Sequence, residues 1–257
     1  MIHYHGTPLT PLIELYKMAG KNFCVSFFRP DNVDICMKIG QSIMFDNGAF
    51  SAFSKNIKID FKEYYKWLED KIGHPHWAVI PDFIDGSVKQ QKKLLKDFPY
   101  PKEISAPVFH IHLPLDYLDF LTDNYPKICF GSSGEFWKIG SDLWISRIDE
   151  LFNHLSKKHR YLPHIHMMRG LSLSGTMYPF ASADSTNVAR NFKDKNKCPE
   201  LMARKIDSMQ TQHLGKLLKH KLKCFFSSPL SFPPIFHNHQ VIAPYPYQQK
   251  YNDVLQY

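Results

Sequence analysis

Short apolar runs alternate along the chain with segments whose apolar residues recur at helical spacing, and nearly every run ends in a polar or small residue. Ile2 to Thr10 reads as a strand and turn, and Pro11 to Ala19 as a helix closed by Gly20. Phe23 to Phe28, Ser42 to Phe45, Trp77 to Ile80, Pro107 to Ile111, Lys127 to Phe130, Pro163 to Met168 and Phe180 to Ala183 have the length and apolarity of buried strands. Between them, Asp31 to Ile39, Ile59 to Lys71, Val88 to Leu95, Leu115 to Leu121 and Leu143 to Leu155 read as helices. Ser185, Thr186 and Asn187 are candidate caps for a last short helix holding Val188 and Arg190.

This alternation predicts parallel β/α units, about seven or eight in this length, and so an α/β fold: a closed (β/α)8 TIM-like barrel rather than an open sheet. In such a barrel the carboxyl ends of the strands gather at one face, which would bring together Asp46, Asp82, His110, Gly131, Arg169 and Asp184. The composition changes after Asn191, with nine Lys/Arg against three Asp/Glu between Lys193 and Lys223. The expected organisation is one catalytic domain over 1–257, with 193–257 forming a basic helix and a Pro/aromatic tail packed on the barrel.

A formal charge of +8 and a pI near 9.1 fit a polyanionic partner. Cys24, Cys36, Cys129, Cys198 and Cys224 are scattered, without a Cys-x-x-Cys pair, so neither a disulfide framework nor a cysteine zinc site is indicated. No signal-like amino terminus and no apolar run of membrane-spanning length is present, and the expectation is a reduced, soluble, cytoplasmic protein of open oligomeric state.

Asp184 falls where a buried strand would give way to a helix, a rigid setting in which N–H groups keep a carboxylate ionised. That suits a nucleophile or an electrostatic stabiliser; a plain helix cap is the structural alternative. Asp46, Asp82 and Asp85 can share acid and base duties with it, since paired carboxylates drive each other's protonation apart. Asp46-Asn47-Gly48-Ala49-Phe50 joins an acid, an amide and a glycine to an aromatic ring, where a flat ligand can approach the backbone; a simple turn at Asn47-Gly48 is the alternative. Gly131-Ser132-Ser133-Gly134-Glu135 is a candidate loop for a phosphate or a base edge. His3/His5, His110/His112, His164/His166 and His237/His239 are His-x-His pairs, and on strands such pairs can grip one metal ion, as metal-dependent barrel hydrolases do.

Taken in order, these strand ends resemble the tRNA-guanine transglycosylase superfamily, including its DNA-acting 7-deazaguanine branch. The resemblance spans most of Ser42 to Asn191. Asp46 to Phe50 looks like that family's Asp-Ser-Gly-Gly-Phe loop, Pro81-Asp82 stands where the family has a base-reading acid, and Phe130 to Glu135 looks like its base-binding loop. His166 to Leu171 occupies the place of the Met-Gly-Val-Gly strand end, and Phe180 to Asn191 that of the segment carrying the nucleophilic aspartate. Aligning Arg190-Asn191 with the family's Arg-Asn puts Ala181 in the aspartate slot, so Asp184 takes over from three residues on. The family's zinc-binding cysteine cluster is missing, which implies no metal and no cofactor.

The resemblance implies an enzyme that cleaves the N-glycosidic bond of a nucleobase, and the short chain favours excision of a modified base from DNA, in phage defence, over exchange for a deazaguanine. Asp184 and Asp46 are the expected catalytic pair, and Phe50, Phe53 and Phe136 the rings that sandwich a flipped base. Asp82, Asp85, Asn47, Gly48, Gly131, Ser132, Ser133, Glu135 and Arg169 would read the base, and His110, His112 and His166 a sugar or phosphate oxygen. Arg190, Lys193, Lys195, Arg204 and Lys205 would hold the DNA backbone. A metal-dependent hydrolase and a non-catalytic DNA-binding module are the alternatives.

Overall fold

The structure is a computed structural model that describes residues 1–174, 176–194 and 197–209. Nine strands form one all-parallel sheet: β1 (Ile2–Gly6), β2 (Asn22–Ser26), β3 (Ser42–Asp46), β4 (Trp77–Val79), β5 (Ser105–Ala106), β6 (Val108–His110), β7 (Lys127–Gly131), β8 (His164–Met167) and β9 (Ser182–Ser185). Their spatial order is β5-β4-β3-β2-β1-β9-β8-β7-β6. Its two ends, β5 and β6, are separated in the chain by Pro107 alone, so the sheet curls round into a nearly closed barrel. Proline has no N–H to give the ladder, but its carbonyl accepts from Cys129 N at 2.8 Å and carries the pairing towards β7.

Side chains alternate across this sheet. One set (Tyr4, Met44, Trp77, Val79, Ala106, Val108 and Cys129) fills the barrel. The other set, including Phe23, Val25, Phe45, Phe109, Phe130, Ile165 and Met167, faces outward into a larger core with the helices. Those helices are α1 (Leu12–Tyr16), α2 (Val33–Ile39), α3 (Ala49–Ser54), α4 (Phe61–Leu68), α5 (Val88–Asp97), α6 (Leu115–Asn124), α7 (Asp142–Lys158), α8 (Asn187–Asn191) and α9 (Pro199–Met209). On α7, Trp144, Ile148, Leu151 and Leu155 recur at three- and four-residue spacing and are buried, while Ser141 caps its first turn through Trp144 N. Ser87 and Gln90 form a reciprocal capping box on α5.

The differences from the sequence-based expectation are local. The first helix is only Leu12–Tyr16, because Thr10-Pro11 and the turn before Gly20 trim both ends. A short helix α3 directly follows Asn47-Gly48, where a loop is expected, and Gly48 starts it in the left-handed conformation at φ 75°. Among the described residues no helix lies between β8 and β9, so one β/α unit is incomplete. The last strand runs two residues later than predicted. Phe180 belongs to the outer core, and Ala181 only begins the pairing, its carbonyl accepting from Ile2 N at 3.0 Å. Asp184 therefore lies within a strand, paired in register with Tyr4 of β1. Among the described residues no helix is long and apolar enough to cross a membrane. The Pro/aromatic tail, His237/His239 and Lys195 lie outside the described residues.

Because Phe130 is wholly buried between sheet and helices, Phe130→Ala is expected to lower unfolding free energy by about 3–5 kcal/mol. Phe53→Ala, at a ring 53% exposed, should stay within about 0.5 kcal/mol. Urea denaturation of both variants checks the contrast.

Candidate functional site

Inward-facing polar residues collect at the carboxyl ends of the strands. Asp46 closes β3, where its Oδ2 accepts from Gly48 N at 3.2 Å. Burial is the largest influence on its carboxyl, and the charges of Asp184 and Asp82 add to it against hydrogen bonds from Ser26 and Gly48; the result is a pKa pushed up to about 6.

Asp184, on β9, is tuned the other way. Burial alone would raise its pKa, but the hydrogen bond from His166 and the N–H of Arg169 outweigh burial and hold it below the usual carboxylate range. Both contacts fall on Oδ1, at 3.2 Å from His166 Nε2 and 3.1 Å from Arg169 N, and Oδ2 takes no hydrogen bond among the described residues. The expected helix cap is not what keeps Asp184 ionised: Thr186 is the N-cap of α8, without a side-chain capping bond, and the stabilising donors come from β8 and the residue that follows Met168.

A line of polar side chains supports Asp184 from below. His166 Nδ1 lies 2.8 Å from Ser182 Oγ, which lies 2.9 Å from His164 Nε2. The tautomer that satisfies every contact has His166 donating through Nε2 to Asp184 and accepting at Nδ1 from Ser182, which in turn accepts from His164. Burial lowers the pKa of both imidazoles, that of His164 to about 3, and the charge of nearby Lys127 lowers them further. Lys127 is itself pushed down to about 8 by burial and lies 4.0 Å over the Trp77 ring. His166 is fully buried with both ring nitrogens engaged. The expected contact of His166 with a sugar or phosphate oxygen does not fit this geometry, in which its ring nitrogens meet Ser182 and Asp184 instead.

A second network backs the other side. Asn47 Nδ2 donates to Asp82 Oδ1 at 2.8 Å and to the Ile80 carbonyl at 2.9 Å, while Asp82 Oδ2 lies 2.8 Å from His110 Nε2. His110 Nδ1 and His112 Nδ1 both meet Ser133 Oγ, at 3.2 and 3.1 Å. Asp82, Asn47, His110 and Ser133 are buried, and this set braces the loops after β3, β4, β6 and β7 against one another. Ser132 Oγ accepts from Trp144 Nε1 at 2.8 Å, and its carbonyl accepts from Arg169 at 3.2 Å. Gly131 packs against His110, at 3.1 Å from where a Cβ would stand. Asp85 and Glu135 are exposed nearby.

Arg169 has φ 66°, a backbone conformation rare for a residue with a side chain, and its guanidinium lies 4.0 Å over the Phe50 ring. Beyond the strand ends, Phe50 and Phe53 of α3, Phe83 and Trp137 are exposed, at 45%, 53%, 43% and 70%. Phe136 is corrected: it is buried in the outer core, and the neighbouring Trp137, which the sequence reading missed, is the exposed ring.

The histidine pairs divide. His3 and His5 are on the outward face of β1, where His3 Nε2 meets Ser185 Oγ at 3.0 Å and His5 Nε2 meets Asp207 of α9 at 3.2 Å. Among the described residues no three His, Cys, Asp or Glu side chains converge as a metal ion would need. Of the expected backbone-binding residues, Arg190, Lys193, Arg204 and Lys205 are exposed on or beside α8 and α9, Arg204 being paired with Glu200 at 2.6 Å. No protein-family model, curated protein or solved structure gives a significant match to this chain.

A carboxyl with a raised folded-state pKa favours folding while protonated, and that contribution is lost as pH rises from the unfolded value of 3.8 through about 6. Asp46→Asn is therefore expected to be more stable than the wild-type protein at pH 8, by about 2–3 kcal/mol, with the difference vanishing near pH 3. Denaturant melts across pH check the sign. Carboxyl NMR titration of Asp184→Asn should show the Asp46 pKa falling, since one like charge has gone.

Proposed function

We infer that this protein cleaves the N-glycosidic bond of a nucleobase in DNA, with the base turned out of the stack into the barrel mouth. Counting β5 and β6 as one strand broken at Pro107, we read the sheet as an eight-stranded β/α barrel lacking, among the described residues, the helix between β8 and β9, a fold whose carboxyl-end face is where such barrels place their chemistry. The observation that carries the reading is the opposed tuning of two carboxylates at that face: Asp46 is held protonated to about pH 6 and Asp184 is held ionised. Exposed rings around the mouth offer stacking surfaces for a base and its neighbours.

The chemistry follows from those charges. Asp184 Oδ2 lies against the anomeric carbon as the C1′–N bond breaks, and its negative charge stabilises the cationic sugar or bonds to it. The bonding pair leaves with the base, which takes the proton of Asp46. Water then adds to C1′, any bond to Asp184 breaking with its electron pair returned to the carboxylate, and the proton of the water passes to Asp46, leaving an abasic site. If a second base enters in place of water, the outcome is exchange. The buried imidazole chain supports a role for Asp184 without a metal ion, because His166, itself held by Ser182, bonds its Oδ1.

Asp184→Asn and Asp46→Asn are each expected to slow base release by about 10²–10⁴-fold while DNA binding is retained. Released bases are measured by mass spectrometry and abasic sites by alkaline cleavage, on plain and hypermodified phage DNA. Near-normal turnover in both variants would overturn the assignment, and release only after a labelled deazaguanine is added would turn excision into exchange. Turnover of the wild-type enzyme should fall about tenfold per unit above pH about 6, as Asp46 loses its proton.

His166→Asn removes the donor that holds Asp184 ionised, so the acidic limb of the same profile should move to higher pH. A profile that only drops in height, without shifting, would show that His166 does not act through the carboxylate.

A further inference from the structure

A cavity of about 760 Å³ lies between the chain after β8 and the helices α8 and α9. It shares Arg169 with the mouth, and Ser185, next to Asp184, forms part of its wall. Three cations line it, Arg169, Lys197 and Lys205, and among the described residues no Asp or Glu does. Lys197 is shared with Asp194 at 2.7 Å, whereas Lys205 makes no ion pair among the described residues. The hydroxyls of Ser172 and Thr176 add polar groups on the β8 side. Leu201, Met202 and Ile206 of α9 form an apolar wall opposite.

These features fix the chemistry of an occupant. Three cations without a facing acid call for an anion, and neither a lone phosphate nor a carboxylate fills such a volume, which is in the range of pockets that bury a drug-sized ligand. The apolar wall calls for an organic body attached to the anion. The chain after the last two strands of a β/α barrel is also a frequent phosphate-binding place. We propose that this cavity binds a phosphorylated nucleoside; resting on the function inferred above, it seats the nucleotide adjoining the target, with its phosphate held by Lys197, Lys205 and Arg169. The shared Arg169 then links the two sites: its backbone N–H holds Asp184, and its side chain spans Phe50 and the Ser132 carbonyl.

The test is calorimetric titration of the full chain with thymidine 3′,5′-bisphosphate, with thymidine and inorganic phosphate as separate probes. The bisphosphate is expected to bind at least about tenfold more tightly than either probe. The double substitution Lys197→Ala/Lys205→Ala, on exposed side chains, should weaken it by about tenfold or more. Leu201→Trp, at a position 63% exposed, should fill the cavity and weaken it likewise without lowering the melting temperature. Lys89→Ala/Lys93→Ala, which removes two exposed charges of α5, should leave affinity unchanged. Phosphate alone binding as tightly, equal loss in the α5 control, or no loss in the Lys197/Lys205 variant would each overturn the proposal. Asp184→Asn should bind the bisphosphate normally. Failure of base release with that binding pattern intact would sink the glycosidic reading and leave the cavity assignment standing.

Discussion

The alternation of side chains across a nearly closed parallel sheet governs everything else in this molecule. Each strand gives one set of residues to the helices and the other to an interior bounded by eight neighbouring ladders, where solvent has little room. Polar groups placed there must satisfy one another or lose free energy. Tyr4, Ser42 and Trp77 do so low in the barrel, with Trp77 Nε1 2.9 Å from Tyr4 Oη. His164, Ser182, His166 and Asp184 do so along its height. The same burial that demands these partners perturbs the acids, raising Asp46 and depressing the imidazoles.

Much of the fold was legible because strands buried on both faces read as short apolar runs, and Phe23 to Phe28 or Lys127 to Phe130 needed no tertiary information. Alternation also made it legible that Asp46 and Asp184 would meet at one end. The misreadings came where local pattern and packing disagree. Phe180 and Ala183 look like one strand, but the ring of Phe180 packs with Phe130 and Phe152 before the sheet begins. Ala49 to Ser54 is too short for its apolar spacing to announce a helix, and its start depends on the left-handed backbone at Gly48.

The site was partly legible in the same sense. Residue type and strand position were enough to nominate Asp46, Asp82, His110 and Asp184. Whether a histidine touches a ligand or another side chain is a question of its two nitrogens, which no spacing reveals. For His166 the signal was present but unread: Ser182 and His164 each share its face at a separation of two residues or one strand. Trp137 and Phe136 are adjacent rings in one short turn, and only packing decides that one is core and the other open to solvent.

The run of His164, Ser182, His166 and Asp184 lies along the inside of the barrel, with His166 packed against Tyr4 and Trp77. Phe53 on α3, Phe83 after β4 and Trp137 after β7 stand instead in segments beyond the strand ends, exposed to solvent. The exposed rings can thus be substituted at little cost to the core, whereas any change within the buried polar run must keep its hydrogen bonds matched.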